Sequence, residues 1–111
     1  MKKNILVTGG TGFLGSALSI RLVDLGHNVT VFDNNSRGSV SKIESILDKI
    51  NYIEGDIRNI DDVKNAIGNC DTIFHLSFVN GTKFFYENPG LVLEVGLKGA
   101  LNTLDCAKSS G

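Results

Sequence analysis

The sequence has no tryptophan, one proline and only two cysteines among its 111 residues. Two cysteines cannot form the disulfide framework of a small secreted domain, so Cys70 and Cys106 are predicted to be reduced thiols in a cytoplasmic protein. Eleven Lys and Arg stand against 12 Asp and Glu, and the formal net charge of -1 offers no attraction to nucleic acid or to an anionic membrane. No apolar run approaches the roughly 18 residues of a membrane span. His27, His75 and the cysteines lack paired ligand spacing, so no metal site is predicted.

Four short runs rich in Val, Ile and Phe are typical of buried strands. They are Asn4–Thr8, Asn28–Asp33, Ile50–Glu54 and Asp71–Leu76. Strands that are apolar throughout, rather than alternating with polar residues, are typical of a parallel sheet covered by helices on both faces.

Helical patterns alternate with these strands. The first helix is predicted to end at Gly26 and to bury Leu14, Ala17, Leu18, Leu22 and Leu25. A second, short helix is predicted to begin at the cap Asn59, to end at Gly68 and to bury Val63, Ala66 and Ile67. A loop from Asn34 leads into a weak helix over Ser41–Leu47.

The last helix is predicted to begin with Asn88 as its cap and Pro89 in its first turn, and to end at Gly111. One of its faces is predicted to point inward or toward a partner. The residues of that face are Leu91, Val92, Val95, Gly99, Ala100, Thr103 and Leu104.

Alternating strands and helices predict right-handed βαβ units and an α/β fold with a doubly wound, Rossmann-type parallel sheet. The expected strand order is 3-2-1-4, with a ligand crevice between the first and fourth strands, where the order reverses. Residues 1–111 are predicted to form one domain that stops after the fourth βα unit.

A glycine-rich turn lies between the first strand and the first helix. Gly9 and Gly10 allow a tight turn, Gly12 lets the backbone approach a pyrophosphate, and Gly15 lets the helix pack closely on the sheet. The helix start then offers unpaired N–H groups to phosphates. The alternative is a structural turn without a ligand. A phosphate-binding loop of the triphosphatase type is excluded, because Ser16 stands where that loop requires Lys.

Asp33 ends the second strand and is predicted to accept hydrogen bonds from the adenosine ribose, which favours NAD over NADP. Arg37 suits a phosphate but is interpreted as a solvated loop charge or a contact on the adenine side. For Asp56 two roles stay open, namely a bond from the adenine amino group or capping of its own turn. His75 is interpreted as a core histidine with a satisfied hydrogen bond rather than as a catalyst.

These motifs together resemble the NAD-dependent epimerase/dehydratase group of extended short-chain dehydrogenases/reductases, which act on nucleotide sugars. The segments that carry the resemblance are Thr8–Gly15, Phe32–Arg37, Gly55–Arg58, His75–Ser77 and Gly99–Leu104. The resemblance implies that the pyrophosphate is lined by Gly9, Gly12, Phe13 and Leu14. It implies that Asp33 and Asn34 hold the adenosine ribose, that Asp56 and Ile57 hold the adenine, and that Leu76 and Ser77 hold the nicotinamide-side ribose.

The chain departs from this family at several points. Phe78 and Gly96 stand where a small residue and an Asn are usual. The family's Tyr-x-x-x-Lys pair, in which Lys lowers the pKa of a Tyr that acts as acid and base, is missing, because Tyr52 and Tyr86 have no Lys four residues on. The stretch 80–87, with its aromatic cluster, is expected either to form a loop over the cofactor or to pack on the last helix.

The chain is therefore expected to be the NAD-binding, N-terminal part of a nucleotide-sugar epimerase or dehydratase, without turnover of its own. Its expected partners are NAD or an adenine nucleotide, with a nucleotide sugar only in a full-length parent. Self-association is expected through the edge of the fourth strand or through Gly96, Gly99, Ala100 and Thr103. The alternatives are an NAD-binding sensor or assembly module that does not catalyse, and a scaffold without a ligand.

Overall fold

The structure is a computed structural model that describes residues 2–34, 40–77 and 87–110. Its strands are β1 (Asn4–Thr8), β2 (Asn28–Asp33), β3 (Ile50–Glu54) and β4 (Thr72–His75). They form one parallel sheet in the order β3-β2-β1-β4. The predicted order is thus confirmed, and β4 is one residue shorter at each end than predicted.

The register of the sheet brings three strand ends to one edge. Thr8, the last residue of β1, lies opposite Phe32 of β2 on one side and His75 of β4 on the other. The segments that leave these strands therefore begin side by side. This places the glycine turn between Asp33 and the residues that follow β4.

The described helical segments are α1 (Phe13–Asp24), a 3-10 segment (Val40–Lys49), α2 (Ile60–Ile67), α3 (Pro89–Leu93), a π-helical turn (Glu94–Lys98) and α4 (Gly99–Ser110). The weak helix expected over Ser41–Leu47 is this 3-10 segment, which is kinked at Ile43. The last predicted helix is divided by the π-helical turn, which apolar spacing does not reveal. Among the described residues, no helix is long and apolar enough to cross a membrane.

The two predicted asparagine caps are confirmed. The Asn59 side chain accepts hydrogen bonds from the Asp61 and Asp62 N–H groups at 3.0 and 3.3 Å, at the start of α2. The Asn88 side chain accepts from Leu91 N–H at 3.2 Å, with Pro89 in the first turn. Each cap satisfies donors that a helix start leaves unpaired.

Helices cover the sheet on both faces, and each face has its own core. Leu6 and Phe32 pack toward α2 and the last helix, in a cluster with Ile57, Val63, Ala66, Ile67, Val92, Val95 and Cys106. Ile5, Val7 and Val31 pack on the other face with Leu22, Val29, Ile43 and Ile46. Cys106 and half-buried Cys70 form no disulfide among the described residues, and burial raises the pKa of each thiol. Strand neighbours thus point to opposite faces, as a two-sided sheet requires.

The buried face of α1 differs from the prediction. Its buried residues are Gly15, Ser16, Ser19 and Leu22, whereas Ala17 is exposed, Leu14 is 69% exposed and Leu25 is 56% exposed. The helix lies so close to the glycine turn that only small residues fit there. The Ser19 hydroxyl is satisfied by donating to Gly15 O at 2.7 Å.

On the last helix most of the predicted face is buried. Val92, Val95, Gly99 and Thr103 are buried, whereas Leu104, predicted to point inward or toward a partner, is 66% exposed. Gly96 and Ala100 are partly exposed, and self-association through the small residues of this face stays a prediction. Thr103 donates to Gly99 O at 2.8 Å, as Ser19 does to Gly15.

Several predictions concern residues outside the described ranges. These are the roles of Arg37 and Phe78, the loop predicted within 80–87 and its aromatic cluster, and the end of the last helix at Gly111.

Candidate functional site

The glycine turn is built by close backbone approach. Gly9 has a φ of 73°, which favours glycine, and a Cβ there would lie 2.8 Å from the Leu76 carbonyl. Gly9 N–H donates to Phe32 O at 2.8 Å, which ties the turn to β2. A Cβ on Gly10 would overlap the Val31 side chain. Gly10 is therefore needed for space beside β2, rather than for the conformation of the turn.

The start of α1 faces outward. Gly12 is its N-cap, without a side-chain cap and without an acidic residue in the first turn. A Cβ on Gly12 would meet only Gly9 O, at 3.4 Å. Phe13 and Leu14 are 83% and 69% exposed. A helix start of this kind presents N–H groups and partial positive charge to an anion.

Asp33 is held by the glycine turn. The backbone N–H and the hydroxyl of Thr11 both donate to Asp33 Oδ2, at 3.0 and 2.6 Å. Thr11 is fully buried and Asp33 is 9% exposed. Charge-assisted bonds of this kind fix the position of the carboxylate between the turn and the end of β2. Asn34, the next residue, is exposed beside it.

Thr8 joins β1 to the segment that follows β4. Its hydroxyl oxygen accepts from the N–H groups of Leu76 and Ser77 at 3.0 and 3.2 Å, and it lies 2.7 Å from His75 Nδ1. Thr8 is fully buried, Leu76 is 39% exposed and Ser77 is partly exposed. Leu76 and Ser77 are thereby held next to Gly9.

These bonds define the protonation of His75. The Thr8 oxygen accepts two N–H bonds, so its single hydrogen is assigned to donation toward Nδ1, and the neutral ring carries its proton on Nε2. Burial lowers the pKa of His75. Its imidazole is thus a satisfied acceptor in the fold, which supports the structural interpretation of this residue.

The lowered pKa of His75 predicts a pH-dependent stability. Between the folded pKa and the ordinary value of about 6.5, the unfolded chain binds a proton that the folded chain does not. The free energy of unfolding is therefore expected to fall as pH drops below about 6.5, by up to about 1.4 kcal/mol per pH unit. Urea unfolding at a series of pH values measures this slope.

The variant His75→Gln is expected to flatten that part of the profile, because glutamine does not titrate. His27→Gln removes the other imidazole and serves as the matched control. An unchanged slope in His75→Gln would show that other groups cause the pH dependence.

Asp56 and Arg58 form an ion pair at the turn after β3. Arg58 Nη2 lies 2.6 Å from Asp56 Oδ2, and Arg58 N–H donates to Asp56 Oδ1 at 2.9 Å. The bond from the Arg58 side chain lowers the pKa of Asp56 and keeps it ionised. The turn-capping role of Asp56 is thus seen directly. Its carboxylate is partly exposed, and contact with adenine stays a prediction. The Ile57 side chain is buried under the last helix.

The structure brings the predicted site residues to one edge of the sheet in four groups. Gly9, Gly12, Phe13, Leu14 and Gly15 form the turn and the helix start, Asp33 and Asn34 end β2, and Leu76 and Ser77 follow β4. Asp56 and Ile57 follow β3 on the far side of β2, where Gly55 N–H donates to Asp33 O at 3.1 Å. An open helix start beside a buried carboxylate and a glycine-rich turn fits a dinucleotide.

Thr8 and Thr11 are the functional residues that sequence reasoning missed. Both lie within the glycine-turn segment, but nothing in their spacing distinguishes a residue that faces a ligand from one that holds a neighbour. Their partners are 67 and 22 positions away, and only the fold brings them together.

The sequence is similar to a known protein family and to individual proteins. The sequence model of the NAD dependent epimerase/dehydratase family matches residues 5–111. The chain is 35% identical over 107 residues to a UDP-N-acetyl-alpha-D-glucosaminuronate decarboxylase of Bacillus cytotoxicus, covering 96% of this chain and 33% of the relative. It is 36% identical over 109 residues to a CDP-paratose 2-epimerase of Salmonella typhi, covering 94% and 32%.

The fold is similar to those of solved epimerase structures. A UDP-glucose 4-epimerase of Thermus thermophilus in complex with NAD superposes with a TM-score of 0.87 at 30% identity, covering 97% of this chain and 34% of that one. An epimerase of Methanothermobacter thermautotrophicus superposes with a TM-score of 0.93 at 32% identity, covering 99% and 33%. The chain spans about a third of the length of these relatives.

Proposed function

Because the chain belongs to the NAD dependent epimerase/dehydratase family, we propose that it binds NAD at the carboxyl edge of its sheet. In this proposal the pyrophosphate lies on the start of α1, against Gly9, Gly12, Phe13 and Leu14. Gly15 allows α1 to pack closely on the glycine turn, so that the start of the helix points toward the pyrophosphate. NAD is the cofactor that the family's description names and that several solved relatives contain.

The other parts of the dinucleotide are assigned by position. Asp33 and Asn34 at the end of β2 take the adenosine ribose, and Asp56 and Ile57 take the adenine. Leu76 and Ser77 take the nicotinamide-side ribose. The nicotinamide supplies the redox chemistry when it is bound, and the chain's own residues bind and orient the dinucleotide.

The buried Asp33 carboxylate carries this proposal. Two donors of Thr11, at 3.0 and 2.6 Å, hold it beside the uncapped start of α1. A fold without a ligand has no need to bury an aspartate at the end of β2 next to an open helix start, because burial of a carboxylate is costly.

We further propose that the chain alone does not turn over a nucleotide sugar, because no Tyr-x-x-x-Lys pair occurs in its sequence. In this proposal it is the cofactor-binding part of a nucleotide-sugar epimerase or dehydratase. The alternative, an NAD-binding sensor or assembly module, is favoured by the exposed stripe of Leu97, Leu101 and Leu104 on the last helix. A longer form of the protein that contains the missing pair would support the enzyme part over the module.

Self-association and a cytoplasmic location also belong to the proposal. Within the described residues β4 pairs only with β1, and Phe74 in β4 and Leu76 just after it are 37% and 39% exposed. An unpaired strand edge of this kind is a template for another chain. A monomer at all concentrations in light scattering would contradict this part. Two cysteines that form no disulfide among the described residues favour a reducing compartment.

A thermal-shift experiment tests NAD binding. At NAD concentrations a hundredfold above the dissociation constant, the melting temperature of the purified protein is expected to rise by on the order of 10 °C, since ligand binding stabilises the folded state. Gly12→Asp is the diagnostic variant. Its side chain has space, and an aspartate cap stabilises a helix, but its charge repels a pyrophosphate.

Gly12→Asp is therefore expected to melt at or above the temperature of the unmodified protein and to lose the NAD shift. No shift in the unmodified protein would support the scaffold without a ligand. Turnover of a UDP-sugar by the purified 111-residue chain would contradict the second part of the proposal.

A further inference from the structure

On the last helix, Gly99 packs against the segment that follows β3. A Cβ placed on Gly99 would lie 2.8 Å from Ile57 Cγ2 and 3.1 Å from Ile57 Cγ1. Gly99 is buried, and Ile57 is 5% exposed. Because Gly99 has no side chain, α4 can approach Ile57 this closely.

Asn102 adds a polar contact to the same residue. Its side-chain amide donates to the Ile57 carbonyl oxygen at 3.1 Å, across 45 positions of sequence. Asn102 is 8% exposed, so this bond is made away from water, where an unpaired amide or carbonyl is costly. Gly99 and Asn102 thus hold both the side chain and the backbone carbonyl of Ile57.

The residues on either side of Ile57 are bonded to each other and to neighbouring helical segments. Asp56 N–H donates to Asp62 Oδ2 at 3.0 Å, and the Asp56 carboxylate is held by Arg58. The Arg58 guanidinium also lies 3.6 Å from Glu94, at the beginning of the π-helical turn. The turn that carries the Asp56 carboxylate thus contacts the last helical segments at two points, through Ile57 and through Arg58.

We infer that Asn102 and Gly99 are positioning residues that set the base specificity of the nucleotide site. By fixing Ile57 they hold the Asp56 carboxylate where it accepts a hydrogen bond from an exocyclic amino group, and so select a 6-aminopurine. This inference rests on the proposed function, in which Asp56 contacts the adenine. Neither Asn102 nor Gly99 touches the nucleotide.

A pair of dinucleotides separates this role from simple support of the fold. Nicotinamide hypoxanthine dinucleotide differs from NAD in the base, where a carbonyl replaces the amino group. The unmodified protein is expected to bind NAD about tenfold or more tightly than this analogue, because the carboxylate loses its donor. Calorimetric titration of both dinucleotides, well below the melting temperature, gives the ratio of their affinities.

In Asn102→Leu the side chain keeps its approximate size but loses the donor. The preference for NAD is expected to fall toward unity, through weaker binding of NAD and a nearly unchanged affinity for the hypoxanthine analogue. Gly99→Ala moves Ile57 by steric contact and is expected to lower the ratio in the same direction. Leu101→Ala, on the exposed face next to Asn102, is the matched control and is expected to keep the ratio.

The possible outcomes are distinct. A merely structural role would lower the melting temperature of the variants but leave the ratio unchanged, and that result overturns the inference. If Asn102→Leu does not fold, Gly99→Ala decides in the same way. An unmodified protein that does not bind NAD would overturn the proposed function, and this inference with it. An unmodified protein that binds NAD without preference for its base would overturn the assignment of adenine to Asp56.

Discussion

Gly15→Ala is expected to destabilise the protein by about 3 kcal/mol, although alanine is normally the better helix former by about 1 kcal/mol. A Cβ at this position would overlap the carbonyl group of Gly9. Backbone atoms in a tight turn cannot rotate away as a side chain can, so the turn or the helix must shift. A loss of this size lowers the melting temperature by roughly 10 to 20 °C in a domain of about 100 residues, which calorimetry measures.

Gly90→Ala is the matched control for this substitution. Gly90 is also in the first turn of a helix, but no atom lies within 4 Å of a Cβ placed there. This variant is expected to gain up to about 1 kcal/mol from helix propensity alone. If both variants became more stable, the close packing of Gly15 on the turn would be refuted.

Asp33→Asn is expected to have the largest effect on nucleotide choice. The amide keeps an oxygen for the two Thr11 donors, so the fold is preserved, but the negative charge is lost. Bonds from ribose hydroxyls to a carboxylate are worth about 1.5 to 3 kcal/mol, so NAD affinity is expected to fall roughly 10-fold to 100-fold. NADP affinity is expected to hold or rise, because the charge that repels the 2′-phosphate is gone. Titration with both dinucleotides gives the ratio of the NAD affinity to the NADP affinity.

Two further variants sharpen the interpretation. Thr11→Val removes the 2.6 Å bond to Asp33 but leaves the backbone bond, so a smaller shift in the same direction is expected. Asp24→Asn removes an exposed charge at the opposite end of α1 and is expected to leave the NAD to NADP ratio unchanged. A ratio unaltered by Asp33→Asn would exclude this carboxylate from the ribose site.

Local features of the site follow from the sequence because they depend on near neighbours. The turn at Gly9, the open helix start at Gly12 and the caps at Asn59 and Asn88 are all made by residues a few positions apart. The strands are equally predictable, since continuous apolar runs leave few alternatives in an α/β chain.

The inward face of α1 could not be predicted in this way, whereas the predicted inward residues of α2 and most of those of the last helix are buried. In α1 the leucines form one apolar stripe and the small residues another, and periodicity favours the leucines. Apart from Leu22, the buried residues of α1 are the small ones, since Gly15 meets the backbone of Gly9. A small residue is required where a neighbouring segment lies close to the helix. The sequence of the helix alone does not reveal that distance.

The sequence by itself therefore determined the order of the sheet, the glycine turn and the placement of Asp33 at the edge that we propose binds a dinucleotide. Only the tertiary structure decided what holds those groups. Thr11 reaches Asp33 across 22 positions, Asn102 reaches Ile57 across 45 and Thr8 reaches His75 across 67. Strand pairing brings Thr8 to His75 and Thr11 to Asp33, and packing of the last helix brings Asn102 to Ile57, so no local pattern could reveal these bonds.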